Sequence, residues 1–341
     1  MSTEHRWYAV IAFALLAITA SPVAHAQTKR AGKQADGNAV ADVGRYHFRS
    51  NPWVNLHQRL LAEANGYESP PPPAGLSGDE LAQWVKAVER YRAFIHKRSE
   101  LFDRELVRIN TVLSETMGQE LPKSIPDAAA VVLRAGMPLY RKAQWMEDDR
   151  ANRFWVAVVT PLLVSAGEEL ADAHAKVYGF PFPKHILVDV CSFGGQFGAY
   201  TVGEGESAHV VVMSTNGGTQ GFGSLESMMH EPSHAIVDAT SWAIGSDITR
   251  LAKELNVKPR YNLWHAILFY TSGELTRQAL ATRGVSGYHP FILDMYRTAF
   301  AGFQQPLETH WQAYLDGKVS RDEALRQILI ETPAPPPKPK Q

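Results

Sequence analysis

The hydrophobic period of this chain changes once near its middle, and that change confines it to few architectures. Up to about residue 178 apolar residues recur at helical spacing. Three short runs follow, 185–190 (HILVDV), 197–202 (FGAYTV) and 208–214 (AHVVVMS), separated by Gly-rich turns and reading as strands. Helical spacing then returns and lasts almost to the end. A chain patterned this way is α+β and mainly α, with a small mixed sheet of about three to four strands set among helices.

The helices can be placed more closely. Apolar spacing predicts one over 54–65 with Trp53 at its start, and Ser77 with Glu80 forms a capping box for another running to about 97. Further helices are expected over 101–116, 128–139 and 150–178, the last interrupted near Pro161, and then over 248–255, 261–283, 290–303, 306–315 and 321–331. The four consecutive prolines within 69–78 mark a loop.

The ends read differently. Arg6, the apolar run 8–20 and Ala24-His25-Ala26 have the form of a secretory signal over residues 1–26, too short for a comfortable membrane span. Residues 27–44 are polar and expected to be disordered, as is the Pro-rich tail 332–341. That leaves an N-terminal helical region over 45–150 and a second unit over 151–331. The expected location is periplasmic or secreted, with no stable membrane anchor after processing. Cys191 is the single cysteine, so no internal disulfide can form, and its apolar neighbours read as core. With 34 basic and 35 acidic residues and no basic stripe, nucleic acid is not an expected partner.

Directly after the third strand comes His230-Glu231-Pro232-Ser233-His234, an H-E-x-x-H motif. Positions i and i+4 share one helix face, so both imidazoles can hold one metal ion, and Glu231 projects close enough to handle a proton on water. Ser224 is the expected N-cap, after the Gly-rich run 216–223, read as a mobile rim of the cleft. Glu226 and Asp238 extend the polar stripe by one turn each way and are placed to hydrogen-bond the outer imidazole nitrogens. Leu225, Met228, Met229, Ala235, Ile236 and Val237 supply surface for burial. Pro232 runs against the pattern, since an interior proline costs about 3 kcal/mol and kinks the helix.

The order of a long helix, a small sheet, the motif helix and a helical remainder resembles the catalytic domain of zincin metallopeptidases over roughly residues 150–285. The segments Trp53-Val54-Asn55-Leu56-His57 and Leu263-Trp264-His265 are similar to secreted bacterial proteins that carry the same motif. The resemblance implies a zincin-like fold, with the sheet packed on the motif helix and the N-terminal helices added to it. It also implies a Zn2+ cofactor and a peptide or protein substrate laid along the edge strand, here 208–214.

Catalytic zinc takes a third protein ligand, and the continuation after His234 does not supply one. Phe269-Tyr270-Thr271-Ser272-Gly273-Glu274 resembles the Gly-Glu segment of the glutamate-type zincins (gluzincins), which implies Glu274 as that ligand. His265 is the alternative. It stands 274 − 265 = 9 residues earlier, half a turn away on an unbroken helix, so only one of the two can face the metal unless the helix breaks at Ser272-Gly273. Thr271-Ser272-Gly273-Glu274 also has the form of a capping box, which would start a new helix there. The resemblance implies a zinc-dependent peptidase in which Glu231 is the general base and Tyr270 or His265 stabilises the oxyanion. Two other classes remain open. One is an exported zinc-binding protein without turnover; the other is a helical binding protein whose Trp53, Trp84 and Trp145 line a groove. Of the remaining histidines, His209 alone, at the head of the third strand, is worth testing.

Overall fold

The computed structural model describes residues 37–66, 72–96, 98, 103–116, 120–193, 198–239, 242–290 and 295–334. The signal-like segment 1–26, residues 27–36 and the end of the tail from 335 lie outside them. The described residues are mainly helical around one mixed five-stranded sheet in the order β1-β2-β3-β5-β4. Its strands are β1 (Ala39–Val43), β2 (Tyr46–Arg49), β3 (His185–Cys191), β4 (Ala199–Val202) and β5 (Ser207–Met213).

The three expected strands are present, and the sheet gains two more: β1 from residues expected to be disordered and β2 from the start of the region expected to be helical. Residues 39–43 pair antiparallel with β2 as a hairpin through Gly44, whose φ of 56° suits the turn. β2 then runs parallel to β3, with Tyr46 opposite Ile186 and Phe48 opposite Val188. A polar flank with short apolar alternation carries no local sign of this pairing, whose partner lies far along the chain. The start of the tail is tied down as well, because the Ala334 N–H donates to the Lys258 carbonyl.

Alternation along the strands explains why both faces are covered. Tyr46, Phe48, Ile186, Val188, Val190, Ala208, Val210 and Val212 point to one core, while Cys191, Tyr200 and Val211 point to the other. The second face is packed by α1 (Pro52–Asn65), α2 (Gly78–Ile95), α3 (Arg104–Ser114) and α4 (Asp127–Ala143). Trp53 and Trp84 are buried there and belong to this core rather than to a groove. The first face is packed by α5 (Trp145–Tyr178), α6 (Phe222–Ser233), α7 (Ala243–Leu255), α8 (Leu263–Ala281) and the C-terminal helix Arg321–Glu331.

α5 begins five residues earlier than its periodicity indicates (150 − 145 = 5) and continues through Pro161 without a break. It therefore spans the division expected at 150/151. It is long and apolar enough to cross a membrane, yet it buries Trp155, Val159, Leu163 and Leu170 in the core.

Candidate metal centre

α6 carries the motif at its C-terminal end. Its N-cap is Gly221 at φ 53°, not Ser224; Ser224 sits inside the first turn and its hydroxyl donates to the Gly221 carbonyl at 2.6 Å. The preceding Gly-rich run is anchored. The Trp155 indole N–H donates to the Thr219 carbonyl at 2.8 Å, and the Thr219 hydroxyl donates to Met213 at 2.7 Å. A Cβ at Gly223 would stand 2.3 Å from the Gly218 carbonyl oxygen, so this close entry needs glycine. At 1.5 Å per residue the helix start at Phe222 lies roughly 12 Å along the axis from His230.

At the other end, the helix proper stops at Ser233 and His234 follows in αR conformation (φ −59°, ψ −22°). Tighter bonds continue the winding: His234 N–H to Glu231, Ala235 to Pro232 and Ile236 to Ser233 carbonyls, at 3.0, 3.1 and 3.0 Å. His230 and His234 therefore stay on one face despite Pro232. Proline lacks the N–H that would meet the Met228 carbonyl four residues back. That oxygen is not orphaned, because the Tyr46 hydroxyl on β2 donates to it at 2.8 Å. Burial of Leu225, Met228 and Met229, each 0 % exposed, contributes about 1.5–3 kcal/mol per side chain and exceeds the proline penalty.

The third histidine comes from α8. His265 Nε2 lies 3.4 Å from His230 Nε2, and His234 Nε2 lies 3.2 Å from the same atom. The ligand atoms of all three lie within 4.8 Å of one another, a grouping able to hold a metal ion. Tetrahedral zinc with Zn–N bonds of about 2.0–2.1 Å sets its ligand nitrogens roughly 3.3 Å apart, so the spacing fits the ion. Burial supports the same use. Desolvation lowers His234 to about 4 and His265 to about 3, and drives His230 well below its ordinary value with help from the imidazoles of His234, His265 and His174. Neutral rings offer lone pairs.

Glu274 and Tyr270 do not join this group. α8 is unbroken from Leu263 to Ala281, so Ser272-Gly273 neither ends it nor starts a new helix. Glu274 lies on the far side from His265, held by Arg277 (2.6 and 2.7 Å) and by Gln278 (2.8 Å). Tyr270 is five residues past His265, about 140° around the helix, and its hydroxyl donates to Gln312 at 2.8 Å. The group close enough to hold an ion is thus three histidines, without Glu274.

The acids flanking the motif have partners of their own. Glu226 accepts the Tyr288 hydroxyl at 2.5 Å, and Asp238 accepts the Trp242 N–H at 3.0 Å. His230 Nδ1 is buried without a partner. Aromatic rings hold the imidazoles instead. Phe269 stacks on His230 with centroids 3.8 Å apart, and Trp264 stacks on His265 at 4.9 Å and 14°. Sequence reading missed this wall, though Trp264 and Phe269 sit beside and one turn after His265.

Glu231 is 7 % exposed, and the Thr201 hydroxyl donates to its Oε2 at 2.8 Å. Burial raises the carboxyl to about 7, against the opposing pull of that hydroxyl. Thr201 belongs to β4, which is the edge strand; the 208–214 segment is interior, paired on both sides as β5. The strand nearest the motif acid with an open edge is therefore β4, not the one expected. His209 lies away from this centre on the opposite face of the sheet, its Nε2 2.7 Å from the buried carboxylate of Asp189. No family model matches the chain, and neither does any curated protein or solved structure.

Proposed function

We propose that the chain is a zinc-dependent metallohydrolase acting on peptide bonds, with His230, His234 and His265 as the protein ligands and Glu231 as general base. The observation that carries this reading is the convergence of three imidazole Nε2 atoms at zinc-ligand spacing beside a buried carboxylate from the same helical turn. Three histidines with a fourth position left open is one of the ligand sets of catalytic zinc. An ion there supplies Lewis acidity toward a carbonyl and toward water.

The rest is done by side chains of this chain. Thr201 occupies Glu231 Oε2, leaving Oε1 to take a proton from the attacking water. As the water oxygen bonds to the scissile carbon and the C–N bond breaks, that proton passes from Glu231 to the departing amine. The open edge of β4 offers backbone groups for an extended peptide to pair with, which sets substrate along 199–202. A mixed sheet packed on the motif helix supports a zincin-like arrangement, and the signal-like residues 1–26 support export to the periplasm or beyond.

A second reading has its own support. His230 and Glu231 are only 4 % and 7 % exposed, which also suits a closed structural metal centre without turnover. Metal analysis of the purified full chain, followed by assay on a mixed fluorogenic peptide library, separates the two. Stoichiometric zinc with cleavage abolished by Glu231→Gln supports the hydrolase. Zinc with no cleavage by the parent chain supports the structural centre, and no metal at all overturns both.

A further inference from the structure

Pro232 stands between two of the three converging histidines, where an unbroken α-helix is expected to hold them. Its missing N–H releases the carbonyl of Met228, a residue 0 % exposed. A buried carbonyl left without a donor costs about 1–3 kcal/mol, and a helix in that state relieves the cost by opening toward water. Opening at this turn would swing His230 relative to His234, because the released carbonyl lies two residues before the first and six before the second.

The donor that prevents this comes from the far end of the sequence. Tyr46 is 2 % exposed, and its ring lies parallel to Phe48 at 6.1 Å. Its strand is fixed by parallel pairing to β3, so the hydroxyl reaches the Met228 oxygen from a rigid support. The next carbonyl is served similarly, since the Ser233 hydroxyl donates to Met229 at 2.7 Å.

We infer that Tyr46 is a positioning residue for the three-histidine centre, its hydroxyl replacing the backbone bond that Pro232 removes so that His230 and His234 keep metal-binding spacing. This rests on the reading that the three histidines bind a metal ion, and not on hydrolysis. It makes the 39–49 hairpin part of the metal centre's support, although it lies 230 − 46 = 184 residues from the motif.

The test is a double-mutant cycle with Co2+ as the probe, titrated into the full chain and followed by its visible absorption bands. Tyr46→Phe keeps the ring and deletes the donor. It is expected to weaken Co2+ binding about 10- to 100-fold, the range found when outer partners of metal ligands are removed, and to alter the band shape. Pro232→Ala returns a backbone N–H to the Met228 oxygen, so adding Tyr46→Phe to Pro232→Ala should change the Co2+ dissociation constant by less than about twofold. A merely structural role for Tyr46 predicts the same loss in both backgrounds. Equal Co2+ affinity and spectra in Tyr46→Phe and the parent, or an equal loss in both backgrounds, overturns the inference alone. A parent chain that binds no Co2+ overturns the metal reading with it.

Discussion

Thr201 on the edge strand donates its hydroxyl to Glu231 on the motif helix, a 2.8 Å bond that joins the sheet to the acid proposed to move the proton. A hydrogen bond to a carboxylate contributes about 1.5–3 kcal/mol, enough to hold one rotamer. Thr201→Val keeps the shape and loses the donor. The expected outcome is a fall in kcat on peptide substrate of roughly 10- to 100-fold with metal content unchanged, whereas Thr201→Ser retains most activity. Steady-state kinetics beside metal analysis reads both. Equal kcat in the valine variant and the parent would sink the positioning of Glu231 by this contact.

The proposed third ligand follows from which face of α8 meets α6. His265 Nε2 is 3.4 Å from His230 Nε2, while Glu274 is saturated by Arg277 and Gln278. His265→Ala should therefore purify with less than about a tenth of an equivalent of zinc, and Glu274→Ala with about one. The Glu274 change should instead cost a little stability through its lost partners. Zinc lost from the glutamate variant and kept in the histidine variant would reverse this assignment.

The sequence made the motif, the strand region and the helix bearing His265 readable because each rests on local periodicity. Glu274 misled because Gly273-Glu274 resembles the glutamate-type segment, yet the continuous α8 turns it half a turn away from His265. Ser272 is buried there, 3.3 Å from the imidazole of His174. The 39–49 hairpin could not be read, since its reason to exist is a parallel partner supplied by β3. The placement of β5 inside the sheet depended on β4 folding back as an antiparallel edge, which strand order in the chain does not determine. Pro232 was legible as a disturbance, but its remedy by Tyr46 was not, because only the assembled sheet brings them together.

His230 Nε2 lies 3.2 Å from His234 Nε2 and 3.4 Å from His265 Nε2, a crowding of neutral imidazoles that a bound ion would relieve. Binding of metal to the folded chain should therefore raise its stability by mass action. At a free metal concentration a hundredfold above Kd the gain is roughly 2.7 kcal/mol, or on the order of 5 °C in Tm for a chain of this size. Chelation should lower Tm by that amount and added zinc should restore it. The His265→Ala variant should melt at the same temperature with and without chelator. A parent chain whose Tm ignores chelator argues against a bound metal.

Acid should destabilise the α1–α4 side of the molecule through a histidine that has no part in the metal centre. His57 on α1 is 1 % exposed, its Nδ1 is paired with the Tyr91 hydroxyl, and burial lowers it to about 3 from an ordinary 6.5. Above 6.5 neither the folded nor the unfolded chain carries a proton on this ring, so it contributes no pH dependence. Between 6.5 and about 3 the unfolded chain binds a proton that the folded chain excludes, so stability falls as pH falls, by at most roughly 1.4 kcal/mol per unit. Urea unfolding at pH 7 and pH 5 measures the slope. His57→Gln keeps a hydrogen-bonding group for Tyr91 and cannot titrate, so its stability should drop less between the two pH values, by about 1–2 kcal/mol, even if it starts lower. Identical slopes in the variant and the parent would mean that His57 is not held neutral in the fold.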